Sequence, residues 1–470
     1  QPQHDGPSLI PGTISMKVPH QTMPAPTRAV SFAGVLALAL ATLAGCPATS
    51  DEVRPPDDQF FFPTGMAIDV DQGSLFVTSA NSDLRYDSGT VTVVDLDRVE
   101  AIADAWLSTG ELPADADCEV DSTIATTLVC NEAEAIVADS SIRTGNFATE
   151  IGVQALDDGT ARVFAAVRGD PSLTWIDFDP ATRTLDCGGS GAMPRCAKGH
   201  RLNRLRNDES IGNLPAEPFG IYVDSADGFV ILTHLTQGAV SLTDAPTDGS
   251  PPVVSDALGF VFNQDPITGA RSALGAAART PGGRVYVTSS SEERVQIFTV
   301  ARTGNSLPAL VPSDFFFLRD VLPSDDSRGI RFGNDGDTAY ILNRSPATLQ
   351  VLDTTLGATG QPRNALSQAV EICSNASNLT VGDLGAGDRV YVTCFREGQV
   401  WVLDPIGGGV DAIIDVGRGP QAIAISEDKE KLYVTNFLED TVSVVDLEVA
   451  SPTENRVVLK LGRTRQSGGK

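Results

Sequence analysis

The sequence predicts an all-β fold, a seven-bladed β-propeller of four-stranded antiparallel blades, and three observations predict it. First, one strand pair recurs seven times. The second strand of the unit reads LFVTS at 75–79, VFAAV at 163–167, VILTH at 230–234, VYVTS at 285–289, YILN at 340–343, VYVTC at 390–394 and LYVTN at 432–436. The third strand follows each time as TVTVVD, SLTWID, AVSLTD, RVQIFT, TLQVLD, QVWVLD and TVSVVD. Second, these strands are β-branched, aromatic and apolar on both faces, so each must be covered by sheet on both sides, as propeller blades cover one another. Third, the spacing between second strands tightens from roughly 90 residues to about 42, which matches blades of about 40–50 residues with insertions in the early copies.

The last copy, residues 419–447, shows the unit most plainly: residues 422–425 form the first strand, 432–435 the second and 441–446 the third, with acidic turns between them. Residues 411–416 supply the fourth, outer strand type. LYVTN followed by TVSVVD resembles the YVTN-type β-propeller repeat family, and the likeness runs from about residue 63 to residue 462. A repeat of this kind identifies a scaffold, and activity must be argued from a site.

Ahead of the repeats, Met16 and Met23 are candidate initiators. Residues 29–44 form an apolar run after Arg28, ending in Leu43-Ala44-Gly45-Cys46, which reads as a secretory leader and resembles a bacterial lipoprotein lipobox with Cys46 as the lipidated mature N-terminus. A membrane-spanning helix would need about 20 apolar residues, more than this run supplies. Residues 1–45 are therefore assigned to the leader, 46–59 to a Pro-, Asp- and Ser-rich tether, 60–462 to the propeller and 463–470 to a flexible tail. This organisation places the protein at the bacterial cell envelope, lipid-anchored to the outer membrane, as a monomer that meets the membrane through its N-terminal lipid alone.

Removing the leader leaves 32 of the 34 basic and 60 of the 61 acidic residues, a net charge of −28. Such a surface repels nucleic acid and keeps an exported protein from self-associating. With Cys46 spent on lipid, six cysteines remain, and proximity pairs Cys118 with Cys130, Cys187 with Cys196, and Cys373 with Cys394. The first two pairs sit in insertions near 101–143, after blade one, and 181–215, read as long loops with no packing of their own. Cys373 precedes the first strand of blade six and Cys394 ends the second, so the two face each other across the open end of one hairpin. Their spacings contain no C-x-x-C, which argues against metal.

Catalytic motifs are absent from the sequence. His4, His20, His200 and His234 form no metal-ligand spacing, Gly188-Gly189-Ser190-Gly191-Ala192 lacks the last glycine and the strand-to-helix setting of a nucleophile elbow, and Asp69, Asp71 and Gly73 open a turn that never completes a calcium loop. Asp95, Asp177, Asp244, Asp353, Asp404 and Asp446 close the third strands, where a carboxylate accepts backbone N–H groups of the following turn. No cofactor and no metal is expected.

The loops after the second strands all open on one face of a propeller. Register puts Arg168 and Arg344 at the position of Phe437, Arg396 one place further, and His234, Asn343 and Asn436 just before. Three arginines at one mouth suit an anionic or carboxylate-bearing ligand, and pairing with Asp170, Glu397 and Glu439 is the purely structural alternative. The resemblance and the missing catalytic set point to a non-enzymatic envelope lipoprotein whose propeller binds a protein, a glycan or an anionic small molecule. The alternative that the resemblance implies is a hydrolase of the propeller lactonase type, which would gather His, Glu and Asn at the mouth. A quinoprotein dehydrogenase would need a Trp-rich blade motif, and the chain has only Trp106, Trp175 and Trp401.

Overall fold

The computed structural model describes residues 53–69, 71–279, 283–304, 306–318 and 326–463, so Cys46, the leader and residues 464–470 of the tail lie outside the described residues. Seven antiparallel sheets follow one another along the chain, each with the strand order innermost to outermost that the repeats predict. The innermost strands are Pro63–Asp69, Ala148–Ala155, Pro218–Asp224, Ala276–Arg279, Ser327–Phe332, Ala376–Gly382 and Pro420–Ser426, and each contacts the next around a closed ring. Gly409–Asp415 is the outer strand of blade six, in the place the sequence assigns to it.

The repeat has a physical cause. In six of the seven blades the innermost strand starts with a bulge, and in four of these the threonine of the second strand fills it; in blade four Thr288 makes the same bond to Gly275, just ahead of the innermost strand. Thr78, Thr233, Thr288, Thr393 and Thr435 each accept a backbone N–H through Oγ1, from Gly65 (2.7 Å), Gly220 (2.9 Å), Gly275 (3.1 Å), Asn378 (2.9 Å) and Ala422 (2.9 Å). A bulge frees a donor in a buried place, and an unpaired buried donor is costly, so a short β-branched hydroxyl there satisfies both strand packing and hydrogen bonding. Blades also meet closely near the axis. A Cβ on Gly220 would lie 2.0 Å from the Leu274 carbonyl oxygen, and one on Gly275 would lie 2.7 Å from the Gly329 Cα.

The insertion near 101–143 differs from its expected form. It lies inside blade one, between the third strand Thr90–Asp95 and a two-residue fourth strand Ile142–Arg143, and it is packed. Asp95 closes the third strand and then N-caps a helix, Leu96–Thr109, by accepting from the N–H groups of Asp97 and Arg98. That helix buries Leu96, Val99, Ile102 and Ala103 in the core that also holds Tyr433, Val444 and Val458 of blade seven. Behind it, the hairpin Cys118–Val120 and Leu128–Cys130 extends the sheet of blade seven, with Leu128–Cys130 running parallel to the outer strand Arg456–Leu461. Blade one thus lends two strands to blade seven and closes the ring.

All three disulfides form as paired from the sequence, Cys118–Cys130, Cys187–Cys196 and Cys373–Cys394. The end of the expected tether lies on the propeller: the Val53 carbonyl accepts from the Asp87 N–H and the Asp57 carbonyl from Ser141 Oγ. Asp95, Asp353, Asp404 and Asp446 accept turn N–H groups as expected, whereas Asp177 and Asp244 pair with Arg162 and Arg302. Among the described residues no helix is long and apolar enough to cross a membrane, and no group of three or more His, Cys, Asp and Glu side chains is placed to hold a metal.

Candidate anion-binding mouth

The face on which the innermost strands begin opens into a cavity of about 430 Å³ on the propeller axis. That is the small end of the range for small-molecule sites. Its walls come from two repeated positions: the first residue after a second strand, and the second residue of an innermost strand. The first position supplies Arg168, Phe395 and Phe437, with Arg344 ending its strand in blade five; the second supplies Thr64, Thr149, Phe219, Arg328, Ser377 and Gln421.

Arg168 and Arg344 therefore face one mouth, as register places them. Arg396 does not. It is exposed on the outside of its turn, and Phe395, which is the true equivalent of Phe437, takes the wall position. His234, Asn343 and Asn436 are also absent from the wall. All three are fully buried where the second strand ends, and they tie turns together. His234 bonds the Ala216 carbonyl through Nδ1 (3.2 Å) and Ser241 Oγ through Nε2 (2.9 Å), Asn343 donates to the Pro346 carbonyl, and Asn436 donates to Thr441 and Ser443. A strand's last residue points into the sheet stack while the next one leaves it, which is why the two neighbouring positions part company. Burial pushes the His234 imidazole down to about 4, opposed by its bonds to the Ala216 and Pro215 carbonyls.

Arg328 joins the two predicted arginines. Register alone did not reveal it, because it sits on an innermost strand, where neighbouring blades hold Thr64, Thr149 and Ser377. The expected partners of the arginines are engaged elsewhere: Asp170 pairs with Arg201, Glu439 with Arg418 and Lys460, and Glu397 accepts from Ser374. Arg168 Nη2 lies 3.3 Å from Glu217, and Arg328 pairs with Asp326. Arg344 donates through Nε to the Ala376 carbonyl, 2.5 Å away. Burial brings its guanidinium down to about 10, with the charge of Arg328 acting the same way and Asp326 against it, so it stays cationic at neutral pH. The Nε of Arg168 is buried and has no hydrogen-bond partner among the described residues.

One carboxyl shares the cavity. Glu150, on the innermost strand of blade two, accepts from the Ile221 N–H at 3.0 Å. The surrounding protein takes most of its solvent, and this desolvation pushes the carboxyl up, against the pull of Arg331 and of that N–H. The rest of the lining is aromatic and polar: Phe437 packs on Phe62 (centroids 5.2 Å apart) and on Phe395 (6.2 Å), Phe147 and Phe219 lie further round, and Ser82, Asn375, Asn378 and Gln421 stand between them.

Comparison with known proteins supports the fold. No protein-family model and no curated protein matches the sequence. Among solved structures, a candidate 6-phosphogluconolactonase from Bacteroides fragilis NCTC 9343 is 13% identical with a TM-score of 0.54, over 84% of this chain and 99% of that one. A protein from Lactobacillus plantarum is 16% identical with a TM-score of 0.53, over 74% and 91%. A candidate 6-phosphogluconolactonase from Bacteroides uniformis ATCC 8492 is 11% identical with a TM-score of 0.51, over 78% and 90%. At these identities the likeness is one of β-propeller architecture.

Proposed function

We propose that the protein is a cell-envelope binding propeller whose axial mouth takes up a small anionic ligand, held by Arg168, Arg328 and Arg344. One observation carries the reading: three guanidinium groups converge on a single cavity in a chain of net charge −27. Glu217 and Asp326 offset Arg168 and Arg328, whereas Arg344 is bonded to a backbone carbonyl, and the low-dielectric walls concentrate the field of the three groups at the opening. The unpartnered Arg168 Nε is a donor held ready for an acceptor. Anchoring through Cys46 is part of the same proposal and rests on the Leu43 to Cys46 pattern. Replacing Cys46 by Ser is expected to release the protein from membranes, and retention of that variant would remove the lipid anchor.

The test of the mouth is calorimetric titration of the soluble chain with benzoate and with inorganic phosphate. The R168E/R344E double variant should lose about 1.5–3 kcal/mol of binding free energy for each charge-assisted hydrogen bond removed, with its thermal midpoint little changed. Equal affinity of the variant and the parent would sink the arginine mouth.

A second reading, hydrolysis of a lactone, is favoured by Glu150. A carboxyl raised by burial beside three arginines is poised to exchange a proton at the same place where an acyl oxyanion would be stabilised. Incubation with gluconolactone, following the acid released on ring opening, distinguishes the readings: E150Q should abolish release if the chain is a hydrolase, and no release above background from the parent leaves binding alone.

A further inference from the structure

Resting on the proposal that the mouth binds an anion, we infer that the ligand is an aromatic carboxylate, its acid group on the arginines of blades two and five and its ring against the phenylalanines of blades six and seven. Three observations lead there.

The first is the division of the wall. Arg168, Arg328 and Arg344 come from blades two and five, whereas Phe395 and Phe437 line the wall from blades six and seven, Phe437 packing in turn on Phe62 of blade one; Phe147 and Phe219 add aromatic surface on the side of Arg168. An arc of half-exposed phenylalanine offers faces and edges to another flat ring. A planar carboxylate matches a guanidinium fork in two parallel hydrogen bonds.

The second is backbone strain. Phe62 (φ 50°) and Phe147 (φ 59°) immediately precede the innermost strands of blades one and two, and both hold the left-handed conformation. Blade three places Glu217 (φ 51°) and blade seven Gly419 (φ 69°) at that position, so the conformation belongs to the repeat, and glycine is the residue for which it carries no steric penalty. Keeping a phenylalanine there, twice, costs stability that glycine would save, and strain of this kind gathers at binding sites.

The third is what the axial hydroxyls do. Three of them are engaged in stitching blades together: Thr64 Oγ1 donates to the Ala148 carbonyl (2.7 Å), Thr149 Oγ1 to the Phe219 carbonyl (2.7 Å) and Ser377 Oγ to the Pro420 carbonyl (2.8 Å). What the wall offers a ligand is charge, aromatic surface and the polar side chains of Ser82, Asn375, Asn378 and Gln421.

The experiment is a titration of the soluble chain with four probes: naphthoate, gluconate, glucose-6-phosphate and the uncharged naphthalenemethanol. Naphthoate is expected to bind about tenfold more tightly than gluconate, which carries the same charge without a ring. The F395A/F437A variant, checked for an unchanged circular dichroism spectrum, should bind naphthoate no more tightly than gluconate. Should that variant fail to fold, F437L alone is expected to narrow the ratio of the two affinities, and an undiminished ratio in either folded variant overturns the aromatic inference. Equal or tighter binding of gluconate or glucose-6-phosphate by the parent overturns the aromatic inference and leaves the anion mouth standing. Tighter binding of naphthalenemethanol than of naphthoate, or no binding of any acid, overturns both.

Discussion

His234 should set an acid limit to the stability of the propeller, and the size of the effect follows from its surroundings. The imidazole is fully buried at the end of the second strand of blade three, with the Ala216 carbonyl on one nitrogen and Ser241 Oγ on the other. Neutral His satisfies this pair as donor at Nδ1 and acceptor at Nε2; the cation would present two donors and a charge with no carboxylate bonded to it. Its folded value of about 4 lies below the ordinary 6.5, so the unfolded chain binds the proton more readily. Stability is therefore fully present above pH ~6.5, falls as the pH drops from there, and is lost in full below about 4. Between about pH 7.5 and 4.5 this one group should remove about 2.5 kcal/mol. For a folded unit of about 400 residues that is a fall of about 3 °C in thermal midpoint. Carboxylates titrate in the same interval, so the assay is a difference: thermal midpoints of the parent and of H234Q, both measured at the two pH values. Gln can keep a donor to Ala216 and an acceptor for Ser241 without titrating. The pH-dependent drop should be smaller in H234Q by about 3 °C, and parallel profiles for the two proteins would refute the argument.

Thr435→Val keeps the shape of the second strand in blade seven but strands the Ala422 N–H in its bulge. It should cost about 1–3 kcal/mol by equilibrium unfolding, whereas a loss near zero would mean the hydroxyl is not what holds the bulge. Removing the clasp cross-link with C118S/C130S should lower stability by about 2–3 kcal/mol and open residues 111–127 to limited proteolysis; an unchanged digestion pattern would show that the helix alone secures the hairpin. At pH values above the raised value of the Glu150 carboxyl, E150Q should bind benzoate more tightly than the parent, because it removes a like charge from the cavity. The parent should gain affinity as the pH falls through the raised value of this carboxyl, since protonation neutralises it, while E150Q should stay flat; the same slope in both would detach Glu150 from the site.

The scaffold was legible because propeller packing acts on every blade alike. Burial on both faces forces an apolar second strand, the bulge beside it asks for threonine, and seven repetitions turn a weak local signal into a strong one. The disulfides were legible for a related reason: Cys373 and Cys394 flank a hairpin whose register the repeat fixes. The clasp helix was also written in the sequence. Asp95, Val99, Ile102, Ala103, Trp106 and Gly110 give an N-cap, a helical stripe and a left-handed C-cap, but reading the segment as an interruption of the repeat hid it. The site was less legible because it depends on one-residue differences. Arg396 and Phe395 are neighbours, and only the observed turn decides which one enters the mouth. Arg328 lies on an innermost strand whose equivalents in five other blades are Thr64, Thr149, Phe219, Ser377 and Gln421, none of them charged, so nothing local marks it as a ligand-facing cation.

The mouth and the closure of the ring are one problem in this chain. Among the described residues the four principal strands of blade seven come from one contiguous stretch, and the seam between blades one and seven is held by the two strands that blade one adds outside them. The clasp holds it from the outside: Thr127 Oγ1 donates to the Val457 carbonyl, the Gly462 N–H donates to the Cys130 carbonyl, and Arg463 pairs with Asp117. The inside is held by the Phe62 N–H donating to Asp440 Oδ1 (2.7 Å) and by the Phe62–Phe437 ring contact. Phe437, one member of that inner contact, is also part of the aromatic wall of the cavity. A loosened seam would separate Phe62 from Phe437 while leaving Arg168, Arg328 and Arg344 in place, because those three sit on blades two and five, away from the seam. The clasp insertion thus stabilises the ring, and through the ring it keeps the apolar half of the mouth in register with its charged half.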